Sequence, residues 1–156
     1  MLETQRLHRF FKDLGALSIE PDILQPADIL LDLYGEDIRA SAYLTSDTLR
    51  GEQMLRPDYT VPVVQAHMKG RANPARYTYA GKVFRKQEED ISRLSEYIQV
   101  GYECFGDDDP ARADAEVFSA LHEAISGFDA HVQTGDMNLL ITAVLGLHAS
   151  DDRKAA

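Results

Sequence analysis

The stretch Ser95-Glu-Tyr-Ile-Gln-Val-Gly-Tyr-Glu-Cys-Phe105 sets an amide and a carboxylate on either side of a glycine. Side chains in a β-strand alternate between faces. As a strand, this stretch would place Tyr97, Gln99, Gly101, Glu103 and Phe105 on one side and Ile98, Val100, Tyr102 and Cys104 on the other. The second set is the apolar one and is expected to face the core. A glycine weakens a strand unless something must come close to its backbone. A small polar ligand, such as an amino acid with its ammonium toward Glu103, fits that chemistry. A solvent-facing strand whose glycine marks a bulge fits the same residues.

Other reactive groups add little. His8, His67, His122, His131 and His148 lack the paired helical spacing of metal ligands, and Cys104 on the apolar face reads as an inert small hydrophobe. The order of residues supports no Ser-His-Asp or Cys-His arrangement, and there is no glycine-rich phosphate loop. Neither a metal nor a cofactor is expected. The formal net charge of −10, with scattered Lys and Arg, disfavours nucleic acid as a partner, because phosphate binding needs clustered cations.

The elements that must position these groups are legible from periodicity. Leu7, Phe10, Phe11 and Leu14 predict a helix over residues 4–14, stopped by Gly15. An extended segment from about Leu17 to Leu24 leads to a helix over Ala27 to Leu33, ending near Gly35. Short strands are expected at Ala42 to Thr45 and Gln53 to Arg56, with a turn around Arg50-Gly51. Asp58 to Pro62 reads as a helix start with Thr60 able to cap, running to about Lys69. Strands over Arg76 to Arg85 and Ser95 to Phe105 form an antiparallel hairpin across the polar segment 86–94. Asp109-Pro110 opens a helix with Val117, Leu121, Ala124 and Phe128 on one face. A strand at His131 to Thr134 precedes a last apolar helix from Met137 to about Leu147, capped by Asp136. That pattern is an α+β domain spanning residues 1–156. Its final helix needs something to pack on.

With 156 residues, 44% hydrophobic and 27% charged, the chain is long enough for one domain with a real core. No apolar run approaches the roughly 20 residues that span a bilayer. The first residues lack a signal-peptide pattern, and a lone cysteine precludes an internal disulfide. A cytoplasmic location is expected.

The order of segments resembles the class II aminoacyl-tRNA synthetase catalytic core, histidyl-tRNA synthetase in particular. Leu55-Arg-Pro-Asp-Tyr-Thr60 is similar to that family's Leu-Arg-Pro-Glu-Gly-Thr motif. Tyr79-Ala-Gly-Lys-Val-Phe-Arg85 resembles the first strand of motif 2, with Arg85 as its arginine, and Tyr97 to Glu103 resembles the returning strand. Ala113-Asp-Ala-Glu-Val117 matches the helix start that follows, and Ile23 to Glu36, with Pro26, is similar to the dimer-forming motif 1. The resemblance implies an antiparallel sheet flanked by helices and an amino-acid-binding set at Asp58, Thr60, Gln99 and Glu103. An α-ammonium has three donors, and two carboxylates with a hydroxyl and an amide oxygen are the acceptors it needs. Asp58 and Thr60 could equally do no more than cap the helix beside them. Arg85 has three readings: an anion contact, an ion pair with the acidic loop, or plain exposure.

Two kinds of protein share this pattern: the synthetase and its catalytically idle paralogue, the regulatory subunit of ATP phosphoribosyltransferase. The departures favour the paralogue. Gln87 stands where a glutamate should contact adenine, Glu88, Glu89 and Asp90 follow where a cation is expected, and Ser95 replaces an arginine. Clustered acids are a poor cradle for a triphosphate. Motif 3, the histidine-specific segment and an anticodon-binding domain have no counterpart, so the chain corresponds to roughly the first half of such a core. The resemblance therefore implies a non-enzymatic, histidine-sensing subunit. Its sites would be Asp58, Thr60, Arg85, Gln99 and Glu103, and it would dimerise through the motif 1-like segment and partner a short-form catalytic subunit in histidine biosynthesis. A fragment of an active synthetase and a free-standing amino-acid-binding module are the competing readings.

Overall fold

In the computed structural model, which describes residues 3–35, 38–70, 73–87 and 90–147, the predicted hairpin forms the longest strand pair among the described residues. Strands β5 (Ala75–Phe84) and β6 (Glu96–Phe105) pair antiparallel along their full length, from Ala75 opposite Phe105 to Phe84 opposite Glu96. The short strand β1 (Leu17–Ser18) adds to β5 in parallel, giving the order β1-β5-β6. A second sheet, β2-β4-β3, is antiparallel and made of β2 (Leu24–Pro26), β3 (Leu44–Asp47) and β4 (Gly51–Leu55). The turn between β3 and β4 is set by the Asp47 carboxylate, which accepts the Leu49 and Arg50 amides, and by Gly51 at φ +79°.

Both faces of the hairpin are packed, which corrects the one-sided expectation for β6. On one face, helix α1 (Glu3–Asp13) and helix α5 (Pro110–Ala124) cover Val100 and Tyr102, burying Phe11, Ala16, Ala120 and Ala124. The Phe11 and Tyr102 rings stack at 5.4 Å. On the other face, helix α4 (Thr60–Gly70) and the residue before it bury Tyr59, Val63, Ala75, Tyr77, Tyr79 and Val83. Val63 and Val83 are fully buried, each gaining roughly 1.5–3 kcal/mol by leaving water. Ile98, expected inside, is 53% exposed, because it lies beyond the reach of the α1–α5 layer. A third cluster, Ala27, Leu30, Ala42, Met54 and Val61, joins helix α2 (Ala27–Tyr34) to the small sheet, with helix α3 (Ile38–Ser41) alongside. α3 is too short for its periodicity to be read from sequence.

Arg56 ties the two sheets together. It is buried, donates from Nε to the Lys82 carbonyl at 2.8 Å and from its guanidinium to the Pro21 carbonyl, and lies 4.1 Å over the Tyr59 ring. A buried guanidinium persists only where its donors are met, so the arginine of the Leu-Arg-Pro segment is a structural strut.

The chain divides into two compact units, Met1–Ala124 and Ile125–Ala156. In the second, helix α6 (Met137–Leu145) starts where the Asp136 carboxylate accepts the Asn138 amide at 2.8 Å. The strand expected over His131 to Thr134 does not form: these residues are exposed and in no regular element. α5 ends at Ala124, so Phe128 falls outside the helical face assigned to it. Among the described residues no helix is long and apolar enough to cross a membrane.

Candidate functional site

The register of β5 on β6 decides what the amide, glycine and carboxylate face. Gly81 lies opposite Gln99, Tyr79 opposite Gly101, and Tyr77 opposite Glu103. All six share the face covered by α4. A side chain added at Gly101 would run into the Tyr79 ring, and one at Gly81 into the Tyr59 hydroxyl and the Arg56 guanidinium. The glycines therefore make room for aromatic rings, and neither marks a bulge. Tyr59 and Tyr79 stack with centroids 4.2 Å apart and parallel planes, with Arg56 against the far side of Tyr59.

Beneath this stack are two polar groups with little to satisfy them. The Tyr79 hydroxyl donates to Glu103 at a long 3.3 Å. Burial pushes the Glu103 carboxyl above its usual range, the tyrosine hydrogen bond opposes this, and the nearby Asp58 charge adds to it. Burial, followed by the Glu103 charge, also raises the Tyr79 phenol. The Gln99 Oε1 is buried and accepts no hydrogen bond among the described residues, a state that costs roughly 1–3 kcal/mol for a polar group.

Asp58 borders an open cleft of about 660 Å³, whose wall includes Tyr34, Arg85, Gln87, Arg93 and Tyr97. Its carboxylate accepts from the Tyr34 hydroxyl at 3.1 Å and from the Thr60 amide at 3.0 Å, and it lies 3.4 Å from the Arg85 guanidinium. Burial and the Asp58 charge push the Tyr34 phenol up to about 12. Arg85 also donates from Nε to the Pro57 carbonyl at 2.8 Å. The ion pair expected with the acidic loop is not seen among the described residues; the carboxylate beside Arg85 is Asp58. Glu88 and Glu89 lie outside the described residues, while Asp90 pairs with Ser92 and Arg93. Gln87 donates to the Leu94 carbonyl and so closes its own loop.

The five predicted residues therefore divide. Asp58 and Arg85 meet at the cleft, and Gln99 and Glu103 lie on one face of β6, on either side of Gly101. Thr60 opens α4, where its amide is held by Asp58, and its side chain is exposed. The capping role falls to Asp58. Tyr34, Tyr59 and Tyr79 escaped the sequence reading, although tyrosines facing glycines across a hairpin are a usable signal.

A second titratable cluster lies away from this face. Cys104, Asp107 and Glu116 offer ligand atoms close enough for one metal ion, but cations of the chain already occupy the position. Arg76 donates to Glu116 at 2.6 and 2.8 Å and to Asp107 at 2.9 Å, Arg112 pairs with Asp107, and Tyr102 donates to Glu116. Burial raises the Cys104 thiol, in keeping with an unreactive side chain.

Comparison with known proteins places this geometry. The family profile described as histidyl-tRNA synthetase matches residues 3–155. A protein of Mesorhizobium japonicum named ATP phosphoribosyltransferase regulatory subunit is 39% identical over 137 residues, covering 83% of this chain and 36% of the relative. Across the curated relatives compared, this chain spans less than half of their length. Among solved structures, a Bacillus halodurans protein titled ATP phosphoribosyltransferase regulatory subunit/histidyl-tRNA synthetase superposes with a TM-score of 0.72 at 24% identity, over 97% of this chain and 40% of the other. A histidine–tRNA ligase subunit of Alicyclobacillus acidocaldarius gives 0.67 at 25% identity, over 80% and 36%.

Proposed function

Because this chain belongs to the histidyl-tRNA synthetase family, we propose that it serves as part of an ATP phosphoribosyltransferase regulatory subunit, as its named relatives do, and senses histidine without catalysing a reaction. The observation that carries this reading is the placement of Gln99 and Glu103 on one face of β6, where the Asp58 charge acts on Glu103, at the positions the family resemblance assigns to the amino acid. Burial and the Asp58 charge both act against the Glu103 carboxylate, and an α-ammonium would supply a cation to relieve them. Charge-assisted hydrogen bonds of roughly 1.5–3 kcal/mol each give micromolar affinity when three are made. Thr60 and Arg85 belong at the rim, Arg85 as the partner of the ligand carboxylate once released from Asp58.

Regulation would work by linkage. Histidine binding favours one arrangement of the hetero-oligomer and so changes the activity of a separate short-form catalytic subunit. A cytoplasmic setting suits such an assembly. The decisive experiment pairs two assays on the chain. Calorimetry should detect histidine binding, and incubation with ATP, histidine and tRNA should yield no histidine-dependent pyrophosphate exchange. Exchange above background would instead assign the chain to the synthetase.

A further inference from the structure

We propose that Tyr79 is a displaceable cover over the amine site, its hydroxyl taking the place of the ligand's N–H donor on Glu103. This inference rests on the histidine-binding reading given above.

Three observations converge on one ring. Gly101 separates Gln99 from Glu103 on β6, and the Tyr79 ring lies directly on it. Any ligand that reaches both acceptors must occupy the space now filled by that ring. The hold on the ring is weak at its polar end, where the hydroxyl donates to Glu103 across 3.3 Å, near the limit for such a contact. The floor also pays for being closed: Gln99 Oε1 is buried without a donor, and a half-buried Glu103 carboxylate faces a phenol instead of a cation. An ammonium over Gly101 would serve both groups.

The closed form keeps its own stabilisation, because Tyr79 stacks face to face on Tyr59. Such pairs contribute beyond their buried area. Closed and open forms thus compete, and the apparent affinity is the intrinsic one reduced by the open fraction. Tyr59 is fully buried and held by Arg56, whereas Tyr79, packed in the same core cluster, is tied at its polar end by a long hydrogen bond. The cover admits a ligand that brings a cation to Glu103 and gives a neutral molecule no advantage.

The test uses ring-labelled tyrosine NMR and calorimetry with L-histidine on the wild-type chain and on Tyr79→Phe. The variant keeps the ring and the stack, so a single cooperative melt, lowered by no more than the lost hydrogen bond, reports a correct fold; its spectrum also assigns the Tyr79 signals. Histidine should move the Tyr79 ring resonances out of the field of Tyr59. Loss of the long hydrogen bond to the Glu103 carboxylate in the closed form should tighten binding by about ten-fold, the low end for a bond to a charged group. Wild-type binding with unmoved Tyr79 resonances, or binding by Tyr79→Phe that is unchanged or weaker, overturns the cover and leaves the histidine site standing. No histidine binding by either protein, or by Tyr79→Ala, which removes the ring altogether, overturns both.

Discussion

Glu103 is the side chain on which the ligand hypothesis turns. Replacing it with glutamine keeps the shape and an acceptor oxygen but removes the charge that an ammonium would meet. Histidine affinity should fall by about 10- to 150-fold, the equivalent of roughly 1.5–3 kcal/mol, as read by calorimetry. Undiminished affinity in a folded Glu103→Gln protein would place the pocket elsewhere. Asp58 would make a poorer test, because its carboxylate also holds the Thr60 amide at the start of α4 and pairs with Arg85. At this scale the sequence was legible where chemistry follows from alternation. Gln99 and Glu103 do share a face. It was not legible that the same face is filled by Tyr59 and Tyr79. Strand alternation says which residues share a face; what covers that face is decided by a long-range contact that no local pattern carries. Cys104 was read as a core hydrophobe, yet it sits half-buried beside the charges of Arg76, Glu116 and Asp107.

Among the elements, the docking of α5 on the hairpin depends on charge as well as on Ala120 and Ala124. Arg76 on β5 grips Glu116 on α5 and Asp107 in the loop between β6 and α5. Hydrogen bonds from Arg76 and then Tyr102 hold the Glu116 carboxyl down at about 2, and the Asp109 amide, followed by Arg112, does the same for Asp107. Both groups are depressed in the folded state, so their contribution is complete above the ordinary carboxylate range near 4. It drains away as the pH falls from there toward about 2, where the folded protein takes up the protons. Thermal melts should therefore lose stability steeply across that interval, and Arg76→Met should flatten the loss while lowering the melting temperature at neutral pH. An equally steep acid limb in Arg76→Met would mean that other carboxylates govern acid unfolding. Elements with a strong period (α1, α4, α5 and the hairpin) were readable from the chain. α3 was too short to show a period, and the expected strand at His131 to Thr134 had β-branched and polar residues but found no neighbouring strand to pair with.

Across the whole molecule, apolar surface remains uncovered on the segment that resembles motif 1. Leu24, Ile29 and Leu33 are all exposed, Leu33 at 63%. They lie on β2 and α2, whose opposite side is anchored by Ala27 and Leu30 in the core. The net charge of −10 opposes indiscriminate association, so a self-contact needs a defined apolar patch to outweigh the repulsion. A stable interface takes roughly 800 Å² from each partner, more than three side chains supply, so the neighbouring Ile23 and Tyr34 would have to take part. We therefore expect the chain to sediment at twice its 17.4 kDa mass. Leu33→Asp should return it to a monomer with an unchanged melting curve, because Leu33 has no part in the core and a carboxylate buried without a partner is strongly disfavoured at an interface. The exposed apolar residues of α6, Leu139, Leu140, Ile141 and Leu145, offer the competing route to association. A dimer that survives Leu33→Asp but is lost in Leu140→Asp would locate self-association in the second unit and remove the motif 1-like segment from that role.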